Sequence, residues 1–206
     1  HSHSHGHGPS HSHDHDHNHP HPHPHRTYPE ICHLITTEAE SGRLQDEAAQ
    51  LSQRIFTVLG EAEAAVHGSS LEQVHFHEVG AFDSIMDIVS FAAAFTLLGC
   101  ETVYASAPTL GSGIVHSAHG QLSVPAPAVV EIMRRHKIPA SGIELPGECL
   151  TPTGAAILAV IVEQWCTTLP AMAEIHAQGQ GAGTREIEHK PNVLRLITGL
   201  PQSTAS

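Results

Sequence analysis

Aromatic residues make up only 4% of this 206-residue chain and charged residues only 15%. Basic side chains are scarcer still: 9 lysines and arginines stand against 21 aspartates and glutamates, a formal net charge of −12. Such a surface repels a polyanion, so DNA and RNA are not expected partners. No run approaches the roughly 18 consecutive apolar residues of a membrane span, and no leader of basic, apolar and small residues is visible. The expectation is a cytoplasmic protein without membrane contact. The four cysteines, Cys32, Cys100, Cys149 and Cys166, form no CxxC pair, which argues against a zinc knuckle or a disulfide framework. Reduced thiols agree with that location. There is no GxSxG elbow, and neither Cys100 nor Cys149 has the local context of a catalytic thiol, which disfavours nucleophilic hydrolysis.

Histidine is what the chain has in excess, with 21 residues, twelve of them before Arg26. In residues 1–29 histidine alternates with Ser, Gly, Asp, Asn and Pro, leaving no apolar face to offset the entropy of ordering. A disordered, metal-gathering segment is expected there; a solvated linker or a purification tag are the other readings. The chain opens inside this run, so an N-terminal continuation is expected. The folded domain is expected over residues 30–200, with a tail at 201–206.

Apolar periodicity predicts an amphipathic helix from Leu44 through Leu59, continuing to His67 before Gly68. A short strand is expected at 74–77, then a helix within 79–98 whose part from Phe91 onward is apolar almost all round and therefore buried. Residues 102–106 and 114–116 read as strands joined in a hairpin through Gly111 and Gly113. Helices are expected at 128–136 and 151–165, and strands at 143–145, 172–176 and 192–197. The fold class is α/β, with α+β as the alternative: a mixed sheet with packed helices, preceded by the disordered His-rich segment.

Three groups of residues carry candidate chemistry. His75 and His77 share a strand face, Glu78 follows, and Asp83 and Asp87 share a helix face. Two carboxylates at i and i+4 repel weakly on a solvated helix, whereas imidazoles and carboxylates together suit a divalent cation such as Ni, Zn or Fe. His116 and His119 form a second group. Without a carboxylate or cysteine nearby in sequence, they read first as surface histidines. Three Gly/Thr segments could hold phosphate: Gly111 and Gly113; Thr151, Thr153 and Gly154, which open a helix; and Gly179, Gly181, Gly183 and Thr184. The helix start is the best of them, since backbone amides there attract anions, although it is also an ordinary cap. Arg185 could clamp a phosphate or carboxylate bidentately.

The segments VHFHEVGAFDSIMDI (74–88), SAHGQLSVPAPA (117–128), GECLTPTGAAIL (147–158), GQGAGTR (179–185) and PNVLR (191–195) resemble, in this order, the nickel insertion protein LarC family. The histidine-rich stretch resembles that family's variable metal-rich insertion. The resemblance implies a lyase-class cyclometallase, or nickel chelatase. Such a protein inserts nickel into pyridinium-3,5-bisthiocarboxylic acid mononucleotide to make the nickel-pincer nucleotide cofactor. It also implies CTP consumption with Mn or Mg, bound by a C-terminal domain that is not part of this sequence, and a lactate racemase-like acceptor enzyme. A homo-oligomer is a further expectation. The roles it suggests are metal ligation by His75, His77 and His119, acid–base or ligand duty for Glu78, Asp83 and Asp87, and substrate phosphate at the 151–154 helix start with Arg185. His116 stands where a basic side chain is expected in relatives. A nickel storage or metallochaperone module without catalysis is the alternative.

Overall fold

The computed structural model describes residues 26–76, 82–117, 120–187 and 191–202. Two residues, Arg26–Thr27, form β1, which pairs antiparallel with β2 (His75–Phe76). Helix α1 (Tyr28–Glu40) begins where the Glu30 carboxylate accepts from both the backbone N–H and the hydroxyl of Thr27, at 2.7 and 2.9 Å, with Pro29 in its first turn. The sequence reading started ordered structure near Leu44 and missed this helix, whose Ile31 and Ile35 are buried.

Helix α2 (Asp46–His67) lies at the centre of the helical packing and ends, as its sequence predicts, at Gly68 in the left-handed region. Around it pack α1, α3 (Phe82–Leu98), α4 (Pro127–His136) and α5 (Pro152–Ile161). Phe56, Ile55 and Leu59 of α2 meet Ile88, Val129, Ile132, Ala155 and Ala156 in one core. Burying a side chain such as Phe56 is worth roughly 1.5–3 kcal/mol, and the alanines let neighbouring helices approach. The buried Ser52 hydroxyl is satisfied within α2 by the Ala48 carbonyl at 2.7 Å.

The expected mixed sheet is absent among the described residues. The strands instead form separate two-stranded pairings, so the architecture is mixed α/β, five helices with small two-stranded sheets. β3 (Tyr104–Ala105) does not form a hairpin with the strand after the glycine turn; it runs parallel to β8 (Gln164–Trp165). β4 (Gly111–Ser112) pairs antiparallel with β7 (Gly147–Glu148), and β5 (Ile114–Ser117) with β6 (Gly120–Ser123). The helix expected to reach residue 165 stops at Ile161, because Val162 turns extended and Gln164–Trp165 becomes β8. No strand forms at 143–145; the pairing residues are two positions further on. Helix α3 is not buried along its second half. Only Ile85, Ile88 and Ala92 are buried in it, Leu97 is 74% exposed, and Phe82 and Met86 also face outward. Uniform apolarity cannot tell a surrounded helix from one packed on a single side.

The chain ends in a long antiparallel ribbon of β9 (Met172–Ala182) and β10 (Val193–Pro201), most of whose residues are exposed. No helix among the described residues is long and apolar enough to cross a membrane.

Candidate functional site

Three of the singled-out sequence blocks converge. β4 and β7 place Gly111 opposite Glu148 and Ser112 opposite Gly147, and the Cys149 N–H donates to the Leu110 carbonyl at 3.0 Å. The Ser112 hydroxyl donates to the Leu145 carbonyl at 3.0 Å. Gly111 has φ +92°, and a Cβ there would overlap the Gly147 carbonyl oxygen, so only glycine permits this close crossing. Gly147, at φ +74°, gives its open side to Arg185: a Cβ would run into the guanidinium. From the loop at the end of the ribbon, Arg185 Nη2 donates to Cys149 Sγ at 3.3 Å. The loop is held by Asn192, whose side-chain amide donates to the Arg185 carbonyl at 3.0 Å while its own carbonyl accepts from Gly183 N–H at 2.9 Å.

Two residues beyond Cys149, Thr151 caps α5, its hydroxyl accepting from Gly154 N–H at 3.1 Å. Leu150, buried between them, fixes the step from β7 into the helix. Pro152 and Thr153 form the first turn, where Pro152 has no N–H and the helix dipole points its positive end outward. Thiol and guanidinium thus meet two residues before the helix start, in the segment from Gly147 to Thr151.

Cys149 is the residue that sequence reasoning passed over. Its partner lies 36 positions away, so no local pattern could announce it; the only signal was GEC directly before a helix cap. Gly113, at φ +96°, closes the β5–β6 hairpin by accepting from Val124 N–H at 2.9 Å. Gly179 and Gly181 lie inside β9, opposite Leu196 and Leu194. They belong to a paired strand, not to a loop whose amides converge on a phosphate, and only Gly183 of that run belongs to the Arg185 loop.

The imidazole and carboxylate group is distributed differently. His75 sits in β2, its backbone paired with Thr27. His77, Glu78 and His119 lie outside the described residues. Asp83 and Asp87 are exposed on the first turns of α3, and His116 belongs to β5 opposite Gln121. Among the described residues no group of three or more His, Cys, Asp or Glu side chains is placed to hold a metal ion.

Fold and site together define a mixed α/β protein in which a guanidinium meets a thiol two residues before a capped helix. Comparison with known proteins makes this particular: residues 4–206 match the model of the nickel insertion protein family, and the chain belongs to that family. It is 49% identical over 174 residues to a Geobacter sulfurreducens protein named "Putative nickel insertion protein", covering 84% of this chain and 43% of that protein. A like-named protein of Pelobacter propionicus is 45% identical over 181 residues, 88% of this chain and 44% of its own. One from Roseiflexus castenholzii is 45% identical over 176 residues, 85% and 42% respectively. The chain therefore spans less than half the length of these relatives. No solved structure matches it.

Proposed function

We propose that this chain is the nickel-handling and substrate-holding part of a cyclometallase that inserts nickel into pyridinium-3,5-bisthiocarboxylic acid mononucleotide, in the biosynthesis of the nickel-pincer nucleotide cofactor. The observation that carries the reading is the meeting of Arg185 with Cys149 at the β4–β7 crossing, two residues before the capped start of α5, in a member of the nickel insertion family. The substrate is anionic at its phosphate and at both thiocarboxylates. The amides at the start of α5 suit the phosphate, and Arg185 suits a phosphate or a carboxylate-like group.

Nickel is cargo in this reaction. It forms bonds to two sulfurs and one ring carbon of the substrate, and the ring carbon gives up a proton. Imidazole and thiolate are ligands that hold nickel reversibly. His75, His77 and His119 are the proposed imidazole donors, with Cys149 as a sulfur donor beside the bound ring. Glu78, Asp83 and Asp87 are the proposed carboxylates, one of them taking the ring proton. The histidine-rich tract at 1–25 gathers the metal at neutral pH, where free imidazole is largely unprotonated. The family resemblance assigns CTP consumption, with Mn or Mg, to the remainder of the family polypeptide. A lactate racemase-like enzyme would receive the product.

The test is nickel stoichiometry after dialysis, measured by elemental analysis on the whole chain and on one lacking residues 1–25, with and without the mononucleotide. Truncation at Arg26 keeps the β1 pairing and the Thr27–Glu30 contacts intact. The expected result is high nickel loading of the whole chain and stoichiometric nickel on the truncated chain only when the mononucleotide is present. Nickel on the tract alone, with none on the truncated chain in either condition, would overturn the reading in favour of a storage module.

A further inference from the structure

The ribbon is the part of the molecule that the helical core does not explain. β9 and β10 are 11 and 9 residues long and pair with each other, leaving both outer edges without a strand partner among the described residues. Their register sets Leu194 opposite Gly181 and Leu196 opposite Gly179, and alternation puts all four on one face with Thr198 and Ala177. The glycines contribute no side chains, so the two leucines border a smooth strip of backbone. Leu194 is 74% exposed and Leu196 45%; past the bulge at Thr198/Gly199, Leu200, opposite Glu174, continues this face and is 51% exposed, while Ile175, opposite Gly199, lies on the other face. A lone two-stranded ribbon is marginal in water, open strand edges invite a further strand, and a contiguous exposed apolar patch marks a surface meant to be covered.

The relatives supply the occupant. This chain covers 43% of the Geobacter sulfurreducens protein, so more than half of that polypeptide lies outside the matched segment. A second copy of this chain is a poorer candidate, since it brings the same net charge of −12. We propose that the β9–β10 ribbon is the docking surface for the part of the family polypeptide outside this segment, which adds a strand at a ribbon edge and covers Leu194 and Leu196. The glycine strip allows close approach of a second layer, and the free edges supply the backbone partners that strand addition requires. The inference rests on family membership and on the ribbon, not on the nickel reaction. It has a functional corollary: the ribbon's loop carries Arg185, so a segment lying along the ribbon is brought next to Cys149 and the α5 start.

Hydrogen exchange read by mass spectrometry, on the 206-residue chain and on the full-length Geobacter sulfurreducens protein, tests it. Amides of residues 172–201 are expected to exchange at least about tenfold more slowly in the aligned ribbon of the full-length protein than in this chain, where exchange is independent of protein concentration. Replacing both leucines, L194D with L196D, is expected to leave the melting temperature of the 206-residue chain unchanged. Equal ribbon exchange in the two proteins would overturn the proposal, as would protection in this chain that grows with concentration together with a dimer mass, which would assign the face to a second copy. The comparison of the two unaltered proteins decides the matter even if the variant fails to fold.

Discussion

Arg185 is exposed, anchors no core residue, and points its guanidinium at Cys149 across the open side of Gly147. Arg185→Ala is therefore expected to leave stability within about 0.5 kcal/mol of the unaltered chain. The same change is expected to cut mononucleotide-dependent nickel retention by about tenfold, as is usual when a charged hydrogen bond to a ligand is lost. Thermal melts and elemental analysis on one preparation check both parts. Glu131 illustrates the opposite case, a carboxylate with structural duty. Hydrogen bonds from Arg134 and Arg135 pull its pKa from 4.5 down to about 2, and Arg135 also reaches Glu61 on α2 at 3.4 Å. A carboxyl group whose folded pKa is depressed stabilises above its unfolded pKa and loses that contribution as pH falls through the folded one. Glu131→Gln should accordingly lower the melting temperature at pH 5 and above, with the gap closing between pH 4.5 and pH 2; a gap that persists at pH 2 would show that packing, not charge, is responsible.

Helix α5 depends on its first turn. Thr151→Ala removes the cap on Gly154 N–H and is expected to cost about 1 kcal/mol in chemical denaturation, with Thr151→Ser recovering most of it. The elements legible in the sequence were those with both a period and a stop signal: α2 between its acidic start and Gly68, and α4 behind Pro127. α1 carries the same kind of signal in Thr27, Pro29 and Glu30, directly after a histidine run that has no apolar period. Pairing was the least legible. β3 and β8 are two residues each, too short for alternation to register, and their partnership spans the chain from Tyr104 to Gln164. The geometry of the candidate site was hard to read for a similar reason. Thr151, Gly154 and Arg185 stand out as residue types, whereas the contact between Arg185 and Cys149 is long-range.

At the largest scale, the described residues form a helical body in which the parallel pair β3–β8 ties α4 and α5 into one loop, followed by the β9–β10 ribbon. Glu163 N–H donates to the Val103 carbonyl and Cys166 N–H to the Ala105 carbonyl, so β3 and β8 close a loop of about 60 residues containing α4, α5 and the β4–β7 crossing. Parallel pairing at such separation forms slowly, and a chain emerges from the ribosome N-terminus first. The order of these groups along the chain imposes a schedule on synthesis. The twelve imidazoles before Arg26 emerge ahead of the other groups, the crossing that seats Cys149 cannot close until residue 149 is out, and the Arg185 guanidinium arrives later still. A nascent chain presents its histidines well before it possesses the thiol–arginine contact, so metal met early in translation encounters imidazole first.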